Sequence, residues 1–176
     1  MQFKDWFPAD YKVEINPELP ASGPLPNLYS MESTGDTIGT GNYVRIIRRD
    51  GQTWHLFLKD GDGGQSKVCS TPINHMCLIC SKGNCVLASS AVPGELSPVK
   101  IYPVQGILPL VDHSLLLLWS FDSLVCMDRM GVAWQHNRLV SDELSVELGQ
   151  DGLLLVSGWG GHPVTRKIKP ISGEML

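Results

Sequence analysis

The chain has 176 residues, of which 43% are hydrophobic and 18% are charged. A chain of this length and composition can bury one core, so it predicts a single folded domain and excludes disorder for most of the chain. The formal net charge is −4, with 14 basic and 18 acidic residues. General nucleic-acid binding is therefore disfavoured, because no basic field would concentrate phosphates. The 18 glycines and 12 prolines punctuate short apolar runs, a pattern typical of an all-β protein.

Signals for secretion and membrane insertion are weak in this sequence. The start, Met1 to Pro8, has no basic flank followed by an apolar stretch, so no secretory signal is predicted. The most apolar stretch, 107–127, is interrupted by proline, aspartate, histidine and serine, which disfavours a membrane span. We therefore expect a cytoplasmic protein that makes no membrane contact. Five cysteines, an odd number, then predict reduced thiols rather than a disulfide framework.

The N-terminal region is rich in proline. Five prolines fall within residues 1–30, a density that excludes a regular helix and removes donors from any central strand. We predict an extended arm over residues 1–30 that packs on a single all-β domain over residues 31–176.

The predicted strands of this domain come in hairpins. Asp50-Gly51 lies between two strand-like runs, 43–49 and 53–58, and supplies the positive φ that a tight hairpin turn requires. A second hairpin is predicted around the turn residues 81–84. One short helical turn near Ser141 is the only helix that the pattern predicts. The remaining predicted strands lie at 75–80 and 85–89, at 107–110, 115–119 and 124–127, and at 144–148, 153–156 and 166–169.

A weak internal repeat accompanies these hairpins. Glycines at positions 51, 94, 131 and 173 are separated by 43, 37 and 42 positions. The first and third open similar phrases, Gly51-Gln52-Thr53-Trp54 and Gly131-Val132-Ala133-Trp134. Each unit is interpreted as a small antiparallel sheet that must stack on its neighbours to cover its apolar faces.

The segment 124–135 resembles the blade phrase of quinoprotein-type β-propeller repeats, in which a strand ends in Asp, a Gly makes the turn and a Trp begins the outer strand. The segment 166–174 is similar but has no Trp. The resemblance covers residues 37–176 and implies about four propeller-like blades of roughly 40 residues each. The Gly-His and Trp-Asp signatures of WD-repeat blades are absent, and the last unit ends before its outer strand. A two-layer β-sandwich with the same hairpins is the alternative fold.

Metal-binding residue types are concentrated in residues 69–85. Cys77 and Cys80 have the C-x-x-C spacing of a zinc site, but apolar residues separate them. On a strand, positions i and i+3 face opposite sides, so we predict buried strand cysteines and expect neither a metal nor another cofactor. The complete set of candidate ligands is Cys69, His75, Cys77, Cys80 and Cys85.

The sequence contains no recognisable catalytic motif, because both the G-x-S-x-G elbow and the H-E-x-x-H helix are missing. The first hypothesis is therefore a non-enzymatic binding or scaffold domain whose loops face a protein partner or a second copy. Asp122, Trp159 and His162 are the candidate partner-binding residues, because turn loops of stacked blades converge at one end. The run through Ile168 is expected to be an unpaired strand edge that favours self-association. The alternative is a small hydrolase or zinc-dependent protein that uses the region from Cys69 to Cys85.

Overall fold

The structure, a computed structural model, describes residues 1–16, 28–29 and 40–176. In these ranges the only helical element is a single 3-10 turn at Val111–His113, and all other regular elements are strands. The strands are β1 Phe3–Lys4, β2 Tyr11–Ile15, β3 Leu28–Tyr29, β4 Gly41–Arg48, β5 Thr53–Lys59, β6 Lys67–Ser70, β7 Met76–Ser81, β8 Asn84–Ser89, β9 Leu96–Pro98, β10 Gly106–Leu110, β11 Leu115–Trp119, β12 Leu124–Asp128, β13 Gly131–His136, β14 Asp142–Leu148, β15 Leu154–Trp159 and β16 Pro163–Ile168.

The strands form four small sheets. Sheet 1 has the order β2-β4-β5-β3, sheet 2 has the order β1-β6-β7-β8-β9, sheet 3 contains β10 to β13 in chain order, and sheet 4 contains β14 to β16 in chain order. Neighbouring strands are antiparallel except for the pairs β1–β6 and β3–β5. The prediction of an all-β fold built from short antiparallel sheets is confirmed.

The four sheets stack face to face through three successive apolar cores. One core joins sheets 1 and 2, the next joins sheets 2 and 3, and the third joins sheets 3 and 4. Strand alternation produces this stack, because Cys77 and Ile79 of β7 face sheet 1 while Leu78 and Cys80 face sheet 3. Among the described residues no core joins sheet 4 back to sheet 1, so the ring closure of a propeller is not seen. The arrangement has four layers rather than the two of a sandwich.

The first 16 residues join the stack instead of standing apart from it. β1 extends sheet 2, β2 extends sheet 1, and Phe7 between them lies in the core shared by sheets 2 and 3. The backbone N–H of Phe7 donates to Ser70 Oγ at 2.7 Å, and the hydroxyl of Tyr11 donates to the carbonyl of Met76 at 2.7 Å. Most of the rest of the proposed arm, 17–27 and 30, lies outside the described residues. Its boundary at residue 30 stays a prediction.

Two local predictions are wrong. The helical turn expected near Ser141 is absent because the backbone N–H of Ser141 donates to the carbonyl of Trp159 at 2.7 Å and β14 begins at the next residue. The expectation that all cysteines are reduced fails for Cys80 and Cys85, which form a disulfide. The tight turn of the β7–β8 hairpin pairs these two residues directly across the strands, with Cα atoms 4.1 Å apart.

The four glycines of the proposed repeat occupy two kinds of position. Gly94, with a φ of +80°, lies in the turn that leads to β9, and Gly131, with a φ of +124°, is the first residue of β13; β9 and β13 are the last strands of sheets 2 and 3. Gly173, with φ of +71°, precedes a single bridge between Met175 and Ile168 of sheet 4. Gly51 differs, because it connects the two middle strands of sheet 1. Three of the four glycines therefore lie at or just before the start of the last pairing of a sheet, and the repeat stays a prediction.

Candidate functional site

A cleft of about 610 Å³ lies at one end of sheets 3 and 4. Three chain segments form it: the turn between β11 and β12, the linker between β13 and β14, and the turn between β15 and β16. The lining residues are Asp122, Arg138, Leu139, Val140, Ser141, Gly160, His162, Val164 and Arg166. We call this opening the C-end cleft.

Apolar packing and backbone hydrogen bonds hold the linker in place. Leu139 and Val140 are 4% and 6% exposed and belong to the core between sheets 3 and 4. The backbone N–H of Leu139 donates to the carbonyl of Asp122 at 2.8 Å, and that of Leu144 donates to the carbonyl of Phe121 at 3.0 Å. The β11–β12 turn therefore holds both the linker, at Leu139, and the strand that follows it, at Leu144.

The turn between β15 and β16 closes the other side of the cleft. The backbone N–H of Gly160 donates to the carbonyl of His162 at 3.0 Å, and Gly161 has a φ of +82°. Gly158 lies against Val140, where a Cβ would contact the valine side chain at 2.7 Å, so the strand end approaches the linker closely. A larger residue at 158 would push the two walls of the cleft apart.

The structure brings together two of the three residues that the sequence singles out for partner binding. Asp122 and His162 both line the C-end cleft. Trp159 lies at the same end, and its carbonyl accepts hydrogen bonds from the backbone N–H and the hydroxyl of Ser141, both at 2.7 Å. Its ring does not line the cleft, because residue 159 faces the opposite side of sheet 4 from Gly158. Trp159 is 49% exposed on that outer side.

Sequence reasoning missed Arg138 and Arg166, which also line the cleft. Arg138 is exposed and has an unusual φ of +55°, a backbone conformation that no local pattern predicts for arginine. Arg166 lies two residues after Val164 on β16, on the face turned towards the cleft. The alternation in 163–168 is a signal that places Arg166 on the same face as Val164, and it says nothing about the facing linker that carries Arg138.

The charged groups of the cleft differ in their partners. The carboxylate of Asp122 accepts hydrogen bonds from the hydroxyls of Ser123, at 2.6 Å, and Ser120, at 3.3 Å. Within the part of the chain that the structure describes, neither Arg138 nor His162 has an ion pair or a side-chain hydrogen bond, and the guanidinium of Arg166 donates one hydrogen bond, to the sulfur of Met175 at 3.7 Å. The cleft thus offers two unpaired guanidinium groups and an imidazole, against one carboxylate that already has donors.

Ser141, His162 and Asp122 line the same cleft, but they do not form a catalytic triad. The hydroxyl of Ser141 donates to the carbonyl of Trp159, and the carboxylate of Asp122 is bound by neighbouring serines. No hydrogen bond links the three side chains among the described residues, so no base activates the serine hydroxyl in this arrangement.

The cysteine-rich hairpin shows a different environment. Cys77 faces the core between sheets 1 and 2 and Cys80 faces the core between sheets 2 and 3, so their sulfurs lie on opposite sides of the sheet. Burial raises the pKa of the Cys69 thiol to about 12, which disfavours the thiolate that metal binding or nucleophilic attack needs. In the described ranges no group of three or more His, Cys, Asp or Glu residues is placed to hold a metal ion.

The fold and the cleft define an all-β protein of four stacked sheets with an open, cationic cleft at one end of the last two. No family model matches the chain, and no curated protein matches it at a significant level. Among the described residues no helix has the length and apolar character needed to cross a membrane.

Proposed function

We propose that this protein is a non-enzymatic binding module that presents the C-end cleft to a partner protein. The observation that carries this proposal is the convergence of two turns and a linker around unpaired Arg138 and His162. Arginine is enriched at the energetic centres of protein interfaces, because its guanidinium offers several donors in a fixed geometry. The side chains of the linker that pack into the core keep this surface in place before a partner arrives.

We also propose that the four sheets correspond to propeller-like blades. Apart from β1, which joins sheet 2, the sheets follow one another in chain order, and Gly94, Gly131 and Gly173 lie at or just before the start of the last pairing in three of them.

A cytoplasmic location also stays a proposal. The Cys80–Cys85 disulfide argues against this location, because structural disulfides are rare in the cytosol of mesophiles.

The binding proposal is tested with tagged protein as bait in a lysate of the source organism. Arg138→Ala and His162→Ala remove unpaired cleft side chains, and Arg129→Ala is the matched control. Arg129 is exposed in the β12–β13 turn, at the opposite end of sheet 3 from the cleft. We expect at least one protein that wild type and Arg129→Ala retain equally and that either cleft variant retains about tenfold less. Equal recovery by all baits contradicts the proposal.

Trp159 is tested separately, because its ring lies outside the cleft. Trp159→Ala that reduces partner recovery and leaves the unfolding temperature unchanged supports a direct role in recognition. An equal loss of recovery and of thermal stability assigns the ring to packing instead.

No observation in the described part of the chain favours the alternative of a zinc-dependent protein or small hydrolase. The candidate thiols are buried, two of them are bonded to each other, and Cys77 and Cys80 face opposite sides of their sheet.

A further inference from the structure

Among the described residues, no strand pairs with the outer edge of sheet 4 beside the cleft. β16 pairs with β15 on one side, and on its other side the carbonyl of Lys167 accepts a hydrogen bond from the backbone N–H of Leu176 at 2.9 Å. Backbone groups alternate in direction along an antiparallel strand, so those of Thr165 also point away from β15. Within the described residues no strand pairs with Thr165 on that side. Sheets 2 and 3 each carry a further strand, β9 and β13, after their own hairpins.

The strand that forms this edge, β16, also forms part of the cleft wall. Val164 and Arg166 alternate with Thr165 along β16, and both line the cleft. A strand added to the edge would direct every second side chain towards the same face. Arg166 would stand beside that strand, and Arg138 would lie across the cleft from it.

The side chains of β16 favour an acidic added strand over a neutral or basic one. Proline and basic residues on an edge strand oppose pairing with neutral or basic strands, and β16 carries Pro163, Arg166 and Lys167. Lys167 is paired with Asp151 at 2.7 Å, whereas Arg166 has no carboxylate partner among the described residues. An acidic segment turns this barrier into attraction, because its carboxylates can bind the guanidinium groups in a bidentate way.

Resting on the proposed function, we propose that the C-end cleft binds an extended acidic segment of a partner protein, which adds to β16 as a further strand. The backbone of this segment pairs with Thr165 by β-augmentation. Its alternate Asp or Glu side chains bind Arg138 and Arg166.

A peptide fits this surface better than a nucleic acid does. The cleft contains two guanidinium groups, those of Arg138 and Arg166, and the chain as a whole has a net charge of −4. The edge also offers paired backbone donors and acceptors, which match another peptide backbone but not a sugar-phosphate chain.

The charge requirement is tested with a fluorescently labelled peptide of alternating Glu and Val. We expect wild type to bind it, Arg138→Glu and Arg166→Glu to weaken binding by about tenfold or more, and Arg129→Glu to leave binding unchanged. Raising the salt concentration should weaken binding, and a Lys-Val peptide should not bind. A single-stranded oligonucleotide of equal charge that binds as tightly as the acidic peptide overturns the proposal.

The strand-addition geometry is tested at Thr165. Thr165→Pro removes the outward N–H and leaves the ladder with β15 intact, since proline is tolerated on a strand edge. Thr165→Ala, which keeps the N–H, is the control. We expect the proline variant to lose most of its peptide binding and the alanine variant to keep it. Equal binding by the two variants overturns strand addition.

A second readout holds even if Thr165→Pro destabilises the fold. In wild type, the acidic peptide should slow hydrogen exchange of the Thr165 amide several-fold and leave exchange in sheet 1 unchanged. Unchanged exchange at Thr165 in the saturated complex overturns the inference. Should the acidic peptide fail to bind while a host protein is still lost from Arg138→Ala baits, this inference is wrong and the proposed function stands.

Discussion

Two neighbouring leucines on β15 test whether sheet 4 is packed on one face or on both. Leu154 is fully buried in the core between sheets 3 and 4. Leu155 points to the outer face, where it is only half-buried and lies between Glu147 and Lys167 of the adjacent strands. The same substitution at adjacent positions therefore removes a core side chain in one variant and a partly exposed one in the other.

The expected magnitudes follow from burial. Leu154→Ala removes three carbon atoms from a site with 0% exposure, which costs about 2.4 kcal/mol in transfer free energy at about 0.8 kcal/mol per carbon. The cavity left behind raises the loss to about 3–5 kcal/mol. Leu155→Ala should cost about 1 kcal/mol, because part of its surface already meets water. For a domain of this size, the unfolding temperature falls by about 2–4 °C per kcal/mol, so Leu154→Ala should lower it by at least about 6 °C.

Urea unfolding of both variants, followed by tryptophan fluorescence, measures the two free energies of unfolding. The slopes with urea concentration must match that of wild type for the comparison to hold. Equal losses at both positions would refute the description of an open stack, because they would show that the outer face of sheet 4 is also covered in solution. A closed propeller or a dimer through that face would produce this result.

Two further predictions concern sheets 1 and 2. Burial and then the Arg45 charge lower the pKa of His55, whose Nδ1 shares a hydrogen bond with the hydroxyl of Tyr43. The contribution of His55 to the free energy of unfolding is therefore complete above pH 6.5, the ordinary pKa of histidine. This contribution is lost as the pH falls from 6.5 through the lower pKa that His55 has in the folded state. The unfolding temperature of wild type should fall more between about pH 7.5 and 5.5 than that of His55→Gln, and parallel curves would contradict this. Alkylation without reductant, followed by mass spectrometry, should leave Cys80 and Cys85 unlabelled; labelling of both would show that the bond is absent.

Local chemistry made most of the strands predictable. The Asp50-Gly51 turn and the alternating runs around it predict β4 and β5 to within two residues at each end. The apolar runs at 115–119 and 124–127 likewise coincide with β11 and β12. β11 and β12 are central in sheet 3, which is packed on both sides, so apolar side chains fill both faces and the pattern is strong. β4 and β5 are packed on one face, and their alternation is the signal.

The cleft and the disulfide were harder to predict because both depend on register. Cys80 and Cys85 meet only because Lys82 and Gly83 adopt positive φ values that close a tight turn, and a one-residue shift would separate the sulfurs. Arg138 and Arg166 are distant in the chain and meet only because sheet 4 stacks on sheet 3. The polar positions of turns carry no signal of which turns end up at the same end of a stack.

The cleft can bind a partner without first folding, because core residues already hold its backbone in place. Leu139 and Val140 are core residues, and the adjacent Arg138 owes its position to them. A partner therefore meets a surface whose backbone is already ordered, and the entropic cost of binding falls mainly on the partner's segment. An extended segment that is disordered on its own can bear that cost if its carboxylates neutralise both guanidinium groups and its backbone pairs with β16 at the same time. Neither contact alone is expected to suffice, which is why the variants at Arg138, Arg166 and Thr165 should each weaken binding on their own.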